Sequence, residues 1–116
     1  MIKIWHNTRC GKSRDSKNLL DEKGCEYEVF EYLKNNFTSE DIKELIKMLE
    51  ISDVREMLRG KEKEYKELNI ADVTKSQDEI INLVVANPKL VERPIVIKDG
   101  KAVIGRPIEN VIELLG

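Results

Sequence analysis

The sequence predicts an α/β fold: a mixed four-stranded sheet flanked by helices, with a helical insertion between the second and third strands. Three observations carry that prediction. The chain opens with a strand, a helix and a second strand in quick succession. Its middle repeats apolar residues at helical spacing behind two N-terminal capping signatures, and its end reads as a hairpin followed by a helix. With 116 residues this is a single domain over 1–116, the insertion covering about 38–86, and a chain of this size buries roughly two-thirds of its unfolded surface.

Ile2 to Trp5 alternates apolar residues as a first strand. Ser13 to Lys23 reads as a helix with Leu19 and Leu20 inward and Gly24 just past its end. Tyr27 to Tyr32, rich in aromatic and branched residues, is the second strand. A strand-helix-strand unit of that length makes the two strands parallel neighbours. Thr38 with Glu40 and Asp41 starts a helix carrying Ile42, Leu45, Ile46 and Leu49 at positions i, i+3, i+4 and i+7. A short segment from Val54 to Leu58 ends at Arg59-Gly60, and Glu62 to Leu68 is a charged stretch with Tyr65 and Leu68 on one side. Ser76 and Glu79 form a capping box for a helix that stops before Asn87-Pro88.

Pro94 to Ile97 and Ala102 to Ile104 flank an Asp99-Gly100 turn and fit two antiparallel strands. Arg106-Pro107 opens a last helix, with Pro107 near its first position and Val111, Ile112, Leu114 and Leu115 inward. The element order is that of a thioredoxin-like sheet.

Composition narrows the function. Apolar residues make up 41% of the chain and charged ones 36%, as in ordinary soluble domains. A net charge of −2 provides no global field for nucleic acid or an anionic membrane, so an anionic ligand needs local cations. No apolar run approaches the length of a membrane span, and the charged residues after Trp5 exclude a secretory signal. Two cysteines without a signal fit a reducing cytoplasm. A helix between Cys10 and Cys25 would hold them roughly 20 Å apart, beyond the roughly 7 Å limit of a disulfide. Cys25, after Gly24, is read as a packed structural thiol.

Cys10 stands between a strand and a helix, with Arg9, Lys12 and Arg14 close in sequence. A helix N-terminus and nearby cations lower a thiol pKa and favour the nucleophilic thiolate. Ser13 occupies the place where a dithiol motif has its second cysteine. The competing reading of Cys10 is a small buried hydrophobe, which calls for no cation cluster. His6, the only histidine, is either a hydrogen-bonded structural residue or a group that tunes the thiol or donates a proton. One histidine and two separated cysteines make no metal ligand set. Arg59, Arg93 and Arg106 complete the candidates, the last two directly before a proline. Guanidinium forks bind tetrahedral oxyanions bidentately; solvated surface charge is the alternative. With a cis bond at Pro94, Arg93 is expected at the loop facing the cysteine.

Taken in order, four motifs resemble the glutaredoxin-coupled arsenate reductase family across the whole chain. His6-Asn7 through Cys10, Ser13 and Arg14 is similar to its catalytic loop. Met57-Leu58-Arg59, Glu92-Arg93-Pro94-Ile95-Val96 and Gly105-Arg106-Pro107 are similar to the segments bearing its three oxyanion arginines. The resemblance implies Cys10 as nucleophile toward arsenate or a related oxyanion, with His6, Ser13 and Arg14 beside it. It implies Arg59, Arg93 and Arg106 as substrate ligands, glutathione as co-substrate, glutaredoxin as partner, and no bound cofactor. The chain ends at Gly116, where well-studied members carry a C-terminal extension.

Two relatives of the fold mark the alternatives. Spx-type transcription regulators bind RNA polymerase and typically carry a Cys-x-x-Cys switch, against which Ser13 argues. Monothiol glutaredoxins have a Cys-Gly-Phe-Ser motif similar to Cys10-Gly11-Lys12-Ser13, but cluster handling has no use for three arginines.

Overall fold

The computed structural model describes every residue from Met1 to Gly116. Along the chain run β1 (Ile2–Trp5), α1 (Gly11–Glu22), β2 (Tyr27–Phe30), α2 (Ser39–Leu49), a 3-10 turn (Val54–Met57), α3 (Lys63–Glu67), α4 (Gln77–Ala86), a second 3-10 turn (Pro88–Leu90), β3 (Ile95–Lys98), β4 (Lys101–Ile104) and α5 (Glu109–Leu115). They form two compact units, Met1–Asn36 with Arg93–Gly116, and Phe37–Glu92.

The first unit holds the predicted mixed sheet, in the order β2-β1-β3-β4. β1 runs parallel to β2, with Ile4 opposite Val29, and antiparallel to β3, with Ile4 opposite Val96. β3 and β4 pair as the expected hairpin. Its turn residues Asp99 and Gly100 both have positive φ, 50° and 79°, the geometry that an Asp-Gly pair supplies with least strain. Ile2, Ile4, Leu20, Val96 and Val111 form the core, with Leu19, Cys25 and Leu115 packed against it. Trp5 adds an edge contact to Phe30 and a stacked one to Tyr32, at centroid distances of 4.9 and 5.9 Å.

The second unit is helical. α2 and α4 pack together, and α4 also lies on both 3-10 turns. Capping boxes start α2 at Thr38 and Asp41 and α4 at Ser76 and Glu79, as the sequence predicts, each reciprocally satisfying two orphan amides. A third, unpredicted, joins Asp53 and Glu56. Leu58 bridges Val91, while the Arg59 amide donates to the Leu90 carbonyl at 2.8 Å.

Several boundaries differ from the sequence reading. α1 starts at Gly11, not Ser13, because Cys10 itself is the N-cap, with extended backbone and a carbonyl that accepts from the Arg14 amide at 3.0 Å. β2 stops at Phe30, short of Tyr32: β1 ends at its partner Trp5, so nothing continues the ladder. Pro107 does not open α5. Asn110 and Val111 bond back three residues, to Pro107 and Ile108, and that tight turn delays the helix to Glu109. Ile112 is exposed, not inward, since the inward direction belongs to Val111 and the next residue lies about 100° around the helix.

α1 buries Ser13, Ser16 and Leu20, so most of its inward stripe is serine, not leucine. Small side chains allow a close approach. A Cβ at Gly105 would lie 2.7 Å from the Ser16 hydroxyl and 2.8 Å from Pro94 Cγ, so glycine is required there, next to Arg106.

Candidate active site

The loop His6–Arg9 hands the chain from β1 to α1, and Asn7 organises it. The Asn7 carbonyl accepts from the Cys10 amide at 3.0 Å, and its side-chain oxygen accepts from the Arg9 amide at 3.0 Å. Its own amide donates to Ser13 Oγ at 3.0 Å. Sequence reasoning gave Asn7 no role, although an asparagine that bonds the backbone two residues on is a turn-forming signal.

Cys10 is buried at the N-cap of α1. No side-chain hydrogen bond caps the helix there, leaving its first amides directed at the sulfur as dipoles. Burial pushes the thiol pKa up. The Ser13 amide, the Arg93 guanidinium, the Lys12 amide and the Arg106 guanidinium outweigh it and hold the pKa below the ordinary thiol value. Arg106 is the direct contact, its Nη2 donating to Cys10 Sγ at 3.3 Å.

The source of positive charge differs from the sequence reading. Arg9, Lys12 and Arg14 are neighbours in sequence, but the guanidinium groups that favour the thiolate are those of Arg93 and Arg106. Arg9 is exposed, Lys12 contributes its amide, and Arg14 Nη1 donates to the Thr8 carbonyl at 2.9 Å, bracing the loop. The side chains of Arg9, Lys12 and Arg14 are exposed, so proximity in sequence does not bring their charges to the sulfur.

Arg93 and Arg106 each precede a cis proline, at Pro94 and Pro107. The two loops are tied together: Arg106 Nε donates to the Arg93 carbonyl at 2.8 Å, and the Gly105 amide to the Pro94 carbonyl at 2.9 Å. Asn110 Nδ2 adds a bond to the Ile104 carbonyl at 2.9 Å. Both arginines are thereby brought to the thiol from segments more than 80 residues along the chain.

His6 is buried and shares a 2.6 Å hydrogen bond between Nδ1 and Ser13 Oγ. Burial, with repulsion from Lys17 and Arg14 against a smaller opposing pull from Glu31, holds its pKa below the usual histidine value. Its Nδ1 bond holds the Ser13 hydroxyl in place. The Ser13 amide, not its hydroxyl, bears on the thiol, because the hydroxyl is engaged by His6 and Asn7.

Arg59 belongs to the helical unit, where its guanidinium pairs with Glu62 at 2.7 Å. Arg55 is a strut of that unit. It pairs with Asp53 at 3.1 Å and donates to the carbonyls of Ile70 and Asp72, both at 2.7 Å. No group of three or more histidine, cysteine or acidic side chains is placed to hold a metal ion. No helix is long and apolar enough to cross a membrane.

A buried thiol at a helix N-terminus beneath an arginine has the chemistry to meet an anion and to act as a nucleophile. The ArsC family model matches residues 5–114. The chain belongs to the ArsC family. It is 50% identical over 115 residues to the uncharacterized protein YfgD of Escherichia coli (strain K12), covering 99% of this chain and 97% of that one. It is 40% identical over 114 residues to an arsenate reductase of Neisseria meningitidis, covering 98% and 97%. The solved structure of an arsenate reductase from Vibrio cholerae matches with a TM-score of 0.94 at 42% identity, covering 97% of this chain and 95% of that one. Such ArsC-family likeness, end to end, extends to the sheet and the helices around it.

Proposed function

We propose that this ArsC-family protein reduces arsenate, or a closely related tetrahedral oxyanion, with Cys10 as nucleophile and glutathione and glutaredoxin as electron donors. The observation that carries the reading is the Cys10 thiol under the Arg106 guanidinium, at 3.3 Å, with its pKa lowered. The thiolate attacks pentavalent arsenic, forming an S–As bond while one oxygen leaves as water after protonation. Glutathione then attacks the adduct through its own sulfur, and glutaredoxin completes the exchange. In the net reaction arsenate takes up two electrons and becomes arsenite, two thiols become one disulfide, and one water is released.

Arg93 and Arg106 neutralise the incoming oxyanion and hold its oxygens by charge-assisted hydrogen bonds. Arg59 is the third ligand of the proposed clamp, on the strength of the Met57-Leu58-Arg59 motif. Ser13, with His6 behind it and Arg14 bracing the loop, keeps the helix amides aimed at the sulfur. Electrons come from outside the chain because Cys25 lies at the far end of α1, packed on the core.

Purified protein supplied with arsenate, glutathione and glutaredoxin should release arsenite, and omitting either thiol donor should stop turnover. Mass spectrometry after turnover should find glutathione on Cys10. A Cys10–Cys25 disulfide in its place, or no arsenite under any combination of thiols, would refute the reading.

A further inference from the structure

Within the sheet unit, the loop that ends in Cys10 has a neighbour on the side away from the arginines. β1 leads into that loop; β3, preceded by Arg93, lies on one side of β1 and β2 on the other. After β2 the chain turns sharply, the Glu31 carbonyl accepting from the Lys34 and Asn35 amides at 3.0 and 3.1 Å. The His6 amide donates to the Phe30 carbonyl at 2.9 Å and ties the loop to that turn. Between them lies an open cavity of about 240 Å³, lined by His6–Arg9 with Glu31, Leu33 and Lys34.

The walls are braced and the lining is chemically mixed. Arg14 Nη1 holds the Thr8 carbonyl at 2.9 Å, and the Asn7 side chain holds the Arg9 amide at 3.0 Å. Arg9 and Lys34 are exposed cations, while Glu31, 3.5 Å from the Lys34 ammonium, is a half-buried carboxylate. Leu33 leaves 44% of its surface in water. Two cations, one carboxylate and an apolar contact complement a zwitterionic group on a short methylene arm, in a ligand of net negative charge. A γ-glutamyl peptide has that composition: an α-amino group for Glu31, an α-carboxylate for Arg9 and Lys34, and two methylenes for Leu33. The volume is below the roughly 300 Å³ at which pockets enclose a whole ligand, so it suits one end of the peptide. Building on the proposed use of glutathione as electron donor, we infer that this cavity binds glutathione by its γ-glutamyl end. The donor then approaches the Cys10 adduct from the β2 side, leaving Arg93 and Arg106 on the oxyanion.

Amide NMR titration with S-methylglutathione tests the site without turnover, since the blocked sulfur cannot exchange with Cys10. The amides of Thr8, Arg9, Leu33 and Lys34 should shift saturably. S-methylcysteinylglycine, which lacks the γ-glutamyl group, should bind roughly tenfold more weakly or worse, the loss expected for one hydrogen bond to a charged group. Arg9→Gln and Glu31→Gln should each weaken S-methylglutathione by a similar factor, and thermal melting establishes that both variants fold. No saturable shift, shifts confined to residues outside the cavity, equal affinity for the two peptides, or an affinity untouched by both substitutions would overturn the inference. The parent reading fails separately, when no arsenite forms although S-methylglutathione fills the cavity. Arsenite formation without binding at the cavity overturns this inference alone.

Discussion

The start of α1 contrasts with three helical starts in the other unit. In Phe37–Glu92, Thr38, Asp53 and Ser76 each close a reciprocal capping box, so local side chains satisfy the free amides at those starts. In the sheet unit, α1 begins at Cys10 without a side-chain cap, and the amides of Lys12 and Ser13 bear on the sulfur. The same backbone donors serve stability in one unit and charge stabilisation in the other. A capped helix end is closed to ligands, whereas an open one beneath two arginines favours a thiolate and then an oxyanion.

Removing the sulfur breaks the contrast most severely. Cys10→Ser should abolish arsenite formation while Cys25→Ser retains most of it, measured as turnover with glutathione and glutaredoxin; equal losses would remove Cys10 from its assigned role.

Next come the arginines over the open end. Arg106→Lys or Arg93→Lys preserves charge and loses the fork, so kcat/KM for arsenate should fall roughly ten- to hundredfold. Wild-type kinetics in both variants would make these arginines ordinary surface charges.

The titration of Cys10 sharpens the electrostatic half of the comparison. Its folded pKa is lowered, so thiolate absorbance in a Cys25→Ser background should have a midpoint below that of a free thiol. Arg106→Gln should move that midpoint upward. The linked stability has a definite sign: it is complete above the free-thiol pKa and is lost as pH falls through the folded value. A midpoint at or above the free-thiol value would refute the account of the site.

In the helical unit the expected effect is on stability. Arg55→Lys gives up the fork on Asp53 and the two carbonyls, at about 1–3 kcal/mol, visible as a lower melting temperature with the Cys10 midpoint unmoved. The pKa of Asp53 is lowered, first by the Arg55 amide and despite partial burial. Its contribution is therefore full above the ordinary carboxylate pKa and lost as pH falls through the folded value. Acid melting of Asp53→Asn should accordingly be less steep. Smallest of all, Ser76→Ala should cost about 1 kcal/mol and leave Cys10 alkylation untouched; a change in alkylation rate would deny the separation of roles.

Much of the architecture was legible because its signals are local. Thr38 and Ser76 name their own caps, Asp99-Gly100 names its turn, and the β-α-β spacing implies parallel neighbours. The serine stripe of α1 was not legible, since hydrophobic periodicity says nothing about small polar residues that let a helix approach closely. Gly105 belongs with it: only the neighbouring Ser16 and Pro94 show why no side chain fits there. Arg55 gave no hint of its strut role, because two of its partners are carbonyls, at Ile70 and Asp72, that carry no side-chain signature.

By itself the sequence determined the order of strands and helices, the position of the Cys10 thiol at a helix start, and the family to which the chain belongs. These depend on short-range periodicity, capping and motif spacing, which a linear reading contains. Which cations serve that thiol was decided only by tertiary structure. The nearby Arg9, Lys12 and Arg14 were the obvious choice in sequence, yet Arg93 and Arg106, carried by the loops around β3 and β4, hold the pKa down. The physical reason is that electrostatic influence falls with distance in space and grows with burial, and neither quantity is a property of separation along the chain.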